Sequence, residues 1–238
     1  MKYAIIAAGE GSRLSQEGIT VSKPMVRLGG IPLIERLQRV FRANGASGIC
    51  VVCNATQQDT IAFMEQEGNT DGLTEFITRQ TPSSMHSFYE LSPLLADEPF
   101  VLTTVDTIFR ETEFSRYVAE FERLIATGEA DGLMGVTDYI DDEKPLYVGI
   151  DETTGQITAF LDSDPQPHYI SAGIYGLTPR ALHTLDDCIR RGESRMRNYQ
   201  RALLRDGLRL KAFRFSKVLD IDHASDIRKA EEFLNDNG

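Results

Sequence analysis

Short apolar runs alternate along the chain with longer segments in which apolar residues recur every three or four positions. The short runs are typical of buried strands, and the periodic segments are typical of amphipathic helices. The predicted strands cover residues 3–8, 49–53, 75–78, 100–104, 132–136, 146–150, 156–161, 169–177 and 208–215. The predicted helices cover residues 32–44, 57–67, 84–95, 114–125, 179–191 and 195–206, and a last helix follows Asp222 and ends at Leu234. This alternation predicts an α/β fold around a largely parallel sheet.

The middle of the chain departs from the alternation. Four strand-like runs follow one another between residues 130 and 178, with turn-forming residues at 151–155 and 162–167. Consecutive strands joined by turns favour antiparallel pairing, so we expect a small antiparallel insertion. No internal repeat and no Pro/Gly/Ser-rich linker divides the chain. We predict one domain over residues 1–238, a three-layer Rossmann-like α/β sandwich with a mixed, mostly parallel central sheet.

The charge balance limits the ligands that a broad surface of this chain can bind. The sequence carries 36 acidic and 25 basic residues, a net charge of −11. This excess argues against a nucleic-acid or anionic-membrane surface, so cations for an anionic ligand must be concentrated locally. No apolar run approaches the roughly 20 residues that span a bilayer. The first run, residues 3–8, is shorter than the ~7–15 residues of a signal-peptide core and predicts a buried strand.

The cysteines indicate the cellular compartment. Cys50 and Cys53 lie among valines in a predicted strand, and the third cysteine has no near neighbour of its kind. A Cys-x-x-Cys pair can be a redox or metal motif, but no second pair is present and histidines are few. We interpret both as buried thiols and expect a cytoplasmic protein.

A glycine-rich loop follows the first predicted strand, with the sequence Gly-Glu-Gly-Ser-Arg-Leu at residues 9–14. Glycine permits positive φ and close backbone approach, so successive N–H groups can face phosphate oxygens. A dinucleotide-binding fingerprint would require a third glycine where Leu14 stands, and a Walker loop would require Gly-Lys-Ser/Thr. The loop therefore indicates phosphate binding of another kind.

The loop belongs to a longer pattern, Ala-Ala-Gly-x-Gly-x-Arg-Leu, then Lys-Pro-Met at residues 23–25 and Gly-Gly-Ile-Pro-Leu-Ile at residues 29–34. In content and order this resembles the sugar-nucleotide pyrophosphorylase, or NTP-transferase, family. The resemblance implies that the loop wraps the nucleotide phosphates, with Arg13 on the leaving pyrophosphate and Lys23 near the α-phosphate as catalytic residues. The alternative for both is an ordinary solvated loop charge. The implied phosphate-binding loop consists of Ala7, Ala8, Gly9, Glu10, Gly11, Ser12 and Arg13.

Three aspartates are the candidate ligands of a metal. Nucleotidyl transfer concentrates negative charge, so the reaction implies Mg²⁺ as cofactor. Asp106 ends a buried run at the point where the family has a metal-binding aspartate, and it would also serve the bound nucleotide. Asp220 and Asp222 alternate on an extended segment and share a face, so both could approach one ion. The resemblance slightly favours Asp222, and either could instead cap the final helix.

The acceptor end of the pattern departs from the family. Residues 171–175, Ser-Ala-Gly-Ile-Tyr, resemble the strand that lines the acceptor site, which implies acceptor contacts from Ala172, Gly173 and Tyr175. The family's upstream Glu-Lys-Pro is replaced by residues 162–165, Asp-Ser-Asp-Pro, which lack the phosphate-binding lysine. Lys144 or Lys217 could supply that charge, although each could equally be a surface lysine.

The segment that selects the nucleotide also departs. Sugar enzymes carry Gly-Thr-Ala-Gly before a helix, whereas this chain has Ser-Phe-Tyr at residues 87–89. That triplet resembles Ser-Leu-Tyr of phosphocholine and inositol-phosphate cytidylyltransferases. The resemblance makes CTP a candidate and implies that Ser84 and Ser87 contact the nucleotide.

These features together imply a Mg²⁺-dependent nucleotidyltransferase that condenses an NTP with a sugar 1-phosphate or small phospho-alcohol and releases pyrophosphate. Residues 1–112 would form mainly the nucleotide-binding half and residues 130–178 the acceptor-binding part, in a monomer or homodimer. One alternative is a molybdopterin-type nucleotidyltransferase, which shares the loop and the lysine. The other is a nucleotide-binding regulatory protein of the same fold without transferase activity.

Overall fold

A computed structural model describes residues 1–66, 72–141, 143–164, 166 and 168–236. The strands are β1 (Lys2–Ala7), β2 (Arg27–Leu28), β3 (Ile31–Pro32), β4 (Gly48–Asn54), β5 (Thr74–Arg79), β6 (Phe100–Thr104), β7 (Thr107–Ile108), β8 (Gly132–Thr137), β9 (Tyr147–Ile150), β10 (Ile157–Leu161), β11 (Ile170–Leu177), β12 (Leu210–Phe215) and β13 (Leu219–Asp220). The α-helices are α1 (Ser12–Gln16), α2 (Leu33–Ala43), α3 (Gln58–Gln66), α4 (Ser84–Leu91), α5 (Glu111–Thr127), α6 (Arg180–Arg190), α7 (Met196–Arg205) and α8 (Ala224–Asn235). Two 3₁₀ turns cover Lys23–Met25 and Ser92–Leu95.

A nine-stranded mixed sheet organises these elements. Its main path runs β10-β9-β11-β6-β1-β4-β5, and β8 pairs with both β11 and β12. Strands β6, β1, β4 and β5 are parallel to one another, and β12 is parallel to β8. The predicted fold class is therefore confirmed. The strands of the expected insertion are continuous with the main sheet, because β11 pairs antiparallel with β6 on one edge and with β8 on the other.

The sheet is covered by helices on both faces, and alternation along β1 shows how. Tyr3 and Ile5 face one apolar cluster, which contains buried residues of α2, α5 and α8. Ala4 and Ile6 face the other, which contains buried residues of α4, α6 and α7. Successive side chains of a strand point to opposite faces, so one short apolar run contributes to two cores. This arrangement is a three-layer sandwich.

Most predicted elements are present within one or two residues of their expected bounds. The helix predicted over residues 84–95 ends as α4 at Leu91 and continues as a 3₁₀ turn, because Pro93 has no N–H to donate in an α-helix. The predicted helix end Glu67, and Pro165 and Pro167 in the predicted turn at 162–167, lie outside the described residues. Helix α1 and the two-residue strands were not predicted.

The cysteines are free and buried. Burial raises the pKa of the Cys50 thiol to about 11 and that of Cys53 to about 12, so both stay protonated at neutral pH. This confirms the interpretation as buried thiols. Within the described residues, no helix is long and apolar enough to cross a membrane.

Candidate active site

A cavity of about 480 Å³, which we call the loop cavity, opens where β1 and β6 end. The two strands are parallel neighbours, so the loops that follow them meet at one edge of the sheet. One wall comes from the glycine-rich loop and another from the start of α4. The lining residues are Ile6, Ala8, Gly9, Glu10, Gly11, Ser12, Lys23, Thr81, Pro82, Ser83, Ser84, Ser87, Thr104, Val105 and Asp106.

Most of the predicted nucleotide-binding residues therefore line one cavity. Ala7 does not, because its side chain lies on the opposite face of β1, in the core beneath α2. Arg13 also does not, because it turns towards a second cavity described below. Ser87 is 2% exposed, and its hydroxyl lies 2.6 Å from the hydroxyl of Thr81. It thereby ties α4 to the segment that follows β5, as well as lining the cavity.

Gly11 holds the shape of the loop. It adopts φ 64° immediately before α1, in the left-handed region that favours glycine. A Cβ at this position would also lie 3.2 Å from the Cβ of Lys23, tighter than ordinary packing. The sequence pattern therefore requires glycine here for both the turn and the approach of the lysine.

We expect Gly11→Ala to lower the free energy of unfolding by about 1–2 kcal/mol, the cost of a left-handed L-residue. Gly9→Ala is the matched control, because a Cβ at Gly9 meets nothing within 4 Å and its φ is not positive. The control should stay within about 0.5 kcal/mol of the unsubstituted protein. Urea unfolding without nucleotide measures both. Equal losses for the two variants would contradict this account of the loop.

Lys23 stands at the centre of an ionic cluster beside the loop. Its ammonium donates to Asp106 Oδ2 and, over 2.8 Å, to Asp222 Oδ1. Arg13 donates to the other oxygen of Asp222 over 3.1 Å, and its guanidinium lies 3.8 Å from Glu143. Burial alone would lower the pKa of Lys23, but the adjacent charges of Asp106 and Asp222 outweigh it and raise the pKa above its ordinary value. The ammonium is therefore charged at neutral pH.

Two short strands bring these residues together from distant parts of the sequence. β7 pairs antiparallel with β13, with Thr107 opposite Asp220. The pairing continues past the strands, since the N–H of Ile221 donates to the carbonyl of Asp106 over 3.2 Å. Asp106 and Asp222 thus start from backbones that are hydrogen-bonded neighbours. Both reach the same lysine.

Asp106 and Asp222 fit the donor set that Mg²⁺ takes in phosphoryl-transfer enzymes. Both carboxylates approach one cationic atom, Lys23 Nζ, so their oxygens converge on one point. Mg²⁺ is usually held by one or two carboxylates together with water and substrate phosphates. In the part of the chain that the structure describes, no group of three or more His, Cys, Asp or Glu side chains could hold a metal. A metal at this pair would therefore rely on substrate oxygens.

Glu17 is a site residue that the sequence patterns did not indicate. One carboxylate oxygen lies 2.6 Å from His223 Nδ1, and the other accepts the N–H of Ala224 over 2.6 Å. These contacts lower the pKa of Glu17 and raise that of His223. They fasten the end of α1 to the start of α8, next to Asp222. The sequence carries no signal for this pair, because its members are far apart and exposed.

The start of α8 shows which aspartate side chain caps the final helix. The helix begins after His223, whose N–H donates to Asp226 Oδ2 over 2.8 Å. The N–H of Asp222 donates to the same oxygen over 3.2 Å. Asp226 therefore serves the helix start, and the side chain of Asp222 is engaged by Lys23 and Arg13 instead.

A second cavity of about 330 Å³, which we call the acidic cavity, lies on the other side of Asp222. Carboxylates outnumber cations in its lining. The lining residues are Arg13, Thr137, Tyr139, Asp141, Glu143, Ile170, Ser171, Ala172, Val218, Leu219, Asp220, Asp222, His223, Ser225, Asp226 and Lys229. Asp222 and Arg13 both line this cavity, and Asp222 also accepts from the Lys23 ammonium.

The predicted acceptor residues do not all line the acidic cavity. Ala172 lines it, and Gly173 adopts φ 69° within β11, where the pairing with β8 is irregular. Tyr175 is 6% exposed and belongs to the core beneath α7. Lys144 lines neither cavity. Lys217 places its ammonium 4.2 Å from the ring centroid of Tyr139, which itself lines the cavity.

A comparison of sequences finds a family and individual proteins to which this chain is similar. A family model described as nucleotidyl transferase matches residues 2–237. The chain is 25% identical over 244 residues to UTP–glucose-1-phosphate uridylyltransferase AglF of Haloferax volcanii, covering 99% of this chain and 97% of that protein. It is 26% identical over 242 residues to the bifunctional IPC transferase and DIPP synthase of Rubrobacter xylanophilus, covering 97% of this chain and 51% of that longer protein.

A comparison of structures finds a solved protein of the same fold. The solved structure of the inositol-1-phosphate CTP transferase from T. maritima aligns with a TM-score of 0.76 at 20% identity, covering 99% of this chain and 96% of that chain. At this identity the likeness concerns the fold alone. The predicted family and the predicted fold are both confirmed.

Proposed function

Because the chain belongs to the nucleotidyl transferase family and is thus a nucleotidyltransferase, we propose that it joins an NTP to a sugar 1-phosphate or a small phospho-alcohol in a Mg²⁺-dependent reaction. The observation that carries this proposal is the cluster in which Lys23 binds both Asp106 and Asp222 beside the glycine-rich loop. The cluster combines a phosphate-binding backbone, a buried cation and two carboxylates at one edge of the sheet.

The chemistry needs positioning and charge more than proton transfer. A phosphate oxygen of the acceptor attacks the α-phosphorus of the NTP, and the bond from that phosphorus to the bridging oxygen breaks. Pyrophosphate leaves with the bonding electron pair. The acceptor phosphate is anionic at neutral pH, so no general base is required. We therefore assign that role to none of the histidines. Catalysis then rests on alignment and on stabilising the developing charge.

The residues of the cluster divide this task. Backbone N–H groups of the loop bind the outer phosphates, and Lys23 neutralises charge near the α-phosphate. Arg13, which lines the acidic cavity and donates to Asp222, binds the leaving pyrophosphate. Asp106 and Asp222 would hold Mg²⁺, which supplies further positive charge to the phosphate oxygens. The acceptor occupies the acidic cavity, whose lining includes Ala172.

The hydroxyl groups at the α4 end of the loop cavity can bind the edge of a nucleobase. Thr81, Ser83, Ser84 and Ser87 line this end, and Ser83 bonds to His86 Nδ1 over 2.9 Å. Small hydroxyls can donate to or accept from the edge of either uracil or cytosine. UTP and CTP are the nucleotides named in two of the relatives above. We therefore place UTP and CTP first among the donors.

A pyrophosphate-release screen tests the proposal. It crosses four NTPs with glucose 1-phosphate, inositol 1-phosphate and phosphocholine, in the presence and absence of Mg²⁺. We expect release from at least one pair, only with Mg²⁺, and none from the Asp106→Ala variant. Calorimetry with each NTP accompanies the screen. Nucleotide binding without release from any pair would favour the regulatory alternative, and the lack of both binding and release would refute the proposal.

A further inference from the structure

We propose that Lys23 is a placeholder for the divalent metal: its ammonium holds Asp106 and Asp222 together until a metal replaces it, and it then passes to the triphosphate. The inference rests on the proposed use of a metal by these two aspartates. It assigns to one lysine two successive partners, first the carboxylates and then the phosphate.

The contacts of Lys23 support its first proposed partner, the pair of carboxylates. Its ammonium bonds to one oxygen of each aspartate, while its side chain is only 12% exposed and that of Asp106 only 15%. Two carboxylates at this separation repel each other, and the repulsion grows as water is excluded. A cation between them therefore stabilises the ligand pair in the absence of metal.

The same contacts place the lysine and the metal in competition. Asp222 has both oxygens engaged, one by Lys23 and the other by Arg13. Asp106 uses Oδ2 for Lys23. An ion that takes Asp106 Oδ2 and Asp222 Oδ1 competes with the ammonium, because two cations on the same oxygens repel each other at contact distance. Metal entry thus releases the head group of Lys23.

The loop cavity is where the ammonium would meet its second proposed partner, the triphosphate. Lys23 lines it together with Gly9, Gly11 and Ser12, the segment proposed to bind phosphates. A Cβ at Gly11 would lie 3.2 Å from the Cβ of Lys23, so the loop backbone passes close to the base of this side chain. An NTP in this cavity gives the displaced ammonium a new anionic partner. Metal and nucleotide should therefore strengthen each other's binding, by the same factor in both directions.

Mn²⁺ binding without nucleotide tests the placeholder directly, because carboxylate sites that accept Mg²⁺ also accept Mn²⁺. Calorimetry compares the unsubstituted protein with Lys23→Met, Lys23→Gln and Lys23→Arg. We expect Met and Gln at this position to raise the Mn²⁺ affinity about tenfold or more, within the usual range of coupling between sites. Lys23→Arg keeps the cation and should leave the affinity low. Two neutral variants are included in case one fails to fold.

Lys2→Met is the matched control. Lys2 also makes an ion pair, to Asp97 over 2.6 Å, but at the opposite end of β1. Its loss should leave the Mn²⁺ affinity unchanged. A non-hydrolysable NTP analogue should raise the Mn²⁺ affinity of the unsubstituted protein by a larger factor than that of Lys23→Met.

Two results would overturn the placeholder. One is a Mn²⁺ affinity of the neutral variants equal to or below that of the unsubstituted protein. The other is an analogue effect of the same size in both proteins. Neither measurement depends on turnover, so the placeholder can fail while pyrophosphate release is found. Conversely, a failed release screen with tighter Mn²⁺ binding by Lys23→Met would refute the acceptor chemistry and leave the placeholder intact.

Discussion

Asp106→Asn is expected to lower the kcat/KM of pyrophosphate release by about 100-fold or more, comparable to removing one preorganised charge-stabilising group from an active site. Asp106 is the more buried of the two aspartates that Lys23 binds, at 15% exposure against 46% for Asp222. The substitution keeps the shape and removes the charge. Both the proposed metal site and the pairing of Lys23 are then weakened at once.

Asp222→Asn is the comparison variant for Asp106→Asn. Asp222 is half exposed, and water can replace part of what its carboxylate supplies, so we expect a smaller loss than for Asp106→Asn. Steady-state kinetics over a range of Mg²⁺ concentrations measures both variants. Loss that high Mg²⁺ partly restores would indicate weakened metal binding. An Asp106→Asn variant with unchanged kcat/KM would contradict the assignment of this aspartate to the site.

Phe114→Ala is expected to lower the free energy of unfolding by about 3–5 kcal/mol, the usual cost of truncating a buried Phe. Phe114 is fully buried at the start of α5. Its ring centroid lies 4.7 Å from that of Phe109, 5.7 Å from that of Phe41 and 5.9 Å from that of Tyr117. The residual cavity would border several rings that cannot collapse together. A loss of this size is a large part of the about 5–15 kcal/mol that stabilises a typical domain.

Phe76→Ala makes the same chemical change at a partly buried position of the edge strand β5. We expect it to lose less than half as much stability, because less apolar surface leaves the core and water can fill the space. Thermal unfolding compares the two, and Phe114→Ala should lower the Tm by about 6–20 °C. Equal shifts would show that the aromatic cluster around Phe114 is not the main packing centre of its layer.

The extent to which local patterns predicted the fold follows from element length. Strand β6 has the predicted bounds, and α2 and α7 lie within one residue of theirs, because each is long enough to show a complete apolar period. Helix α1 has only five residues, and β7 and β13 have two each. Such pieces are too short to carry a period, and they form because neighbouring elements hold them.

The predicted site residues also fall into two groups, those that the structure brings together and those that it does not. The loop from Ala8 to Ser12 and Lys23 line one cavity, since they are close in sequence and their geometry depends on glycine backbone and short turns. The acceptor side is less complete. Tyr175 belongs to a motif that resembles the family's, yet its side chain lies in the core, and Lys144 lines neither cavity.

The sequence by itself determined the alternation of strands and helices, the glycine-rich loop and the family resemblance, because these depend on contacts between residues near each other in the chain. Only the tertiary structure decided that Asp106 and Asp222 meet at one ammonium, and that Glu17 fastens α1 to α8. These contacts depend on the β7–β13 pairing, which joins a segment from the middle of the chain to one near its end. Such a pairing costs loop-closure entropy and is stabilised by the packing of the whole core, so no local pattern encodes it.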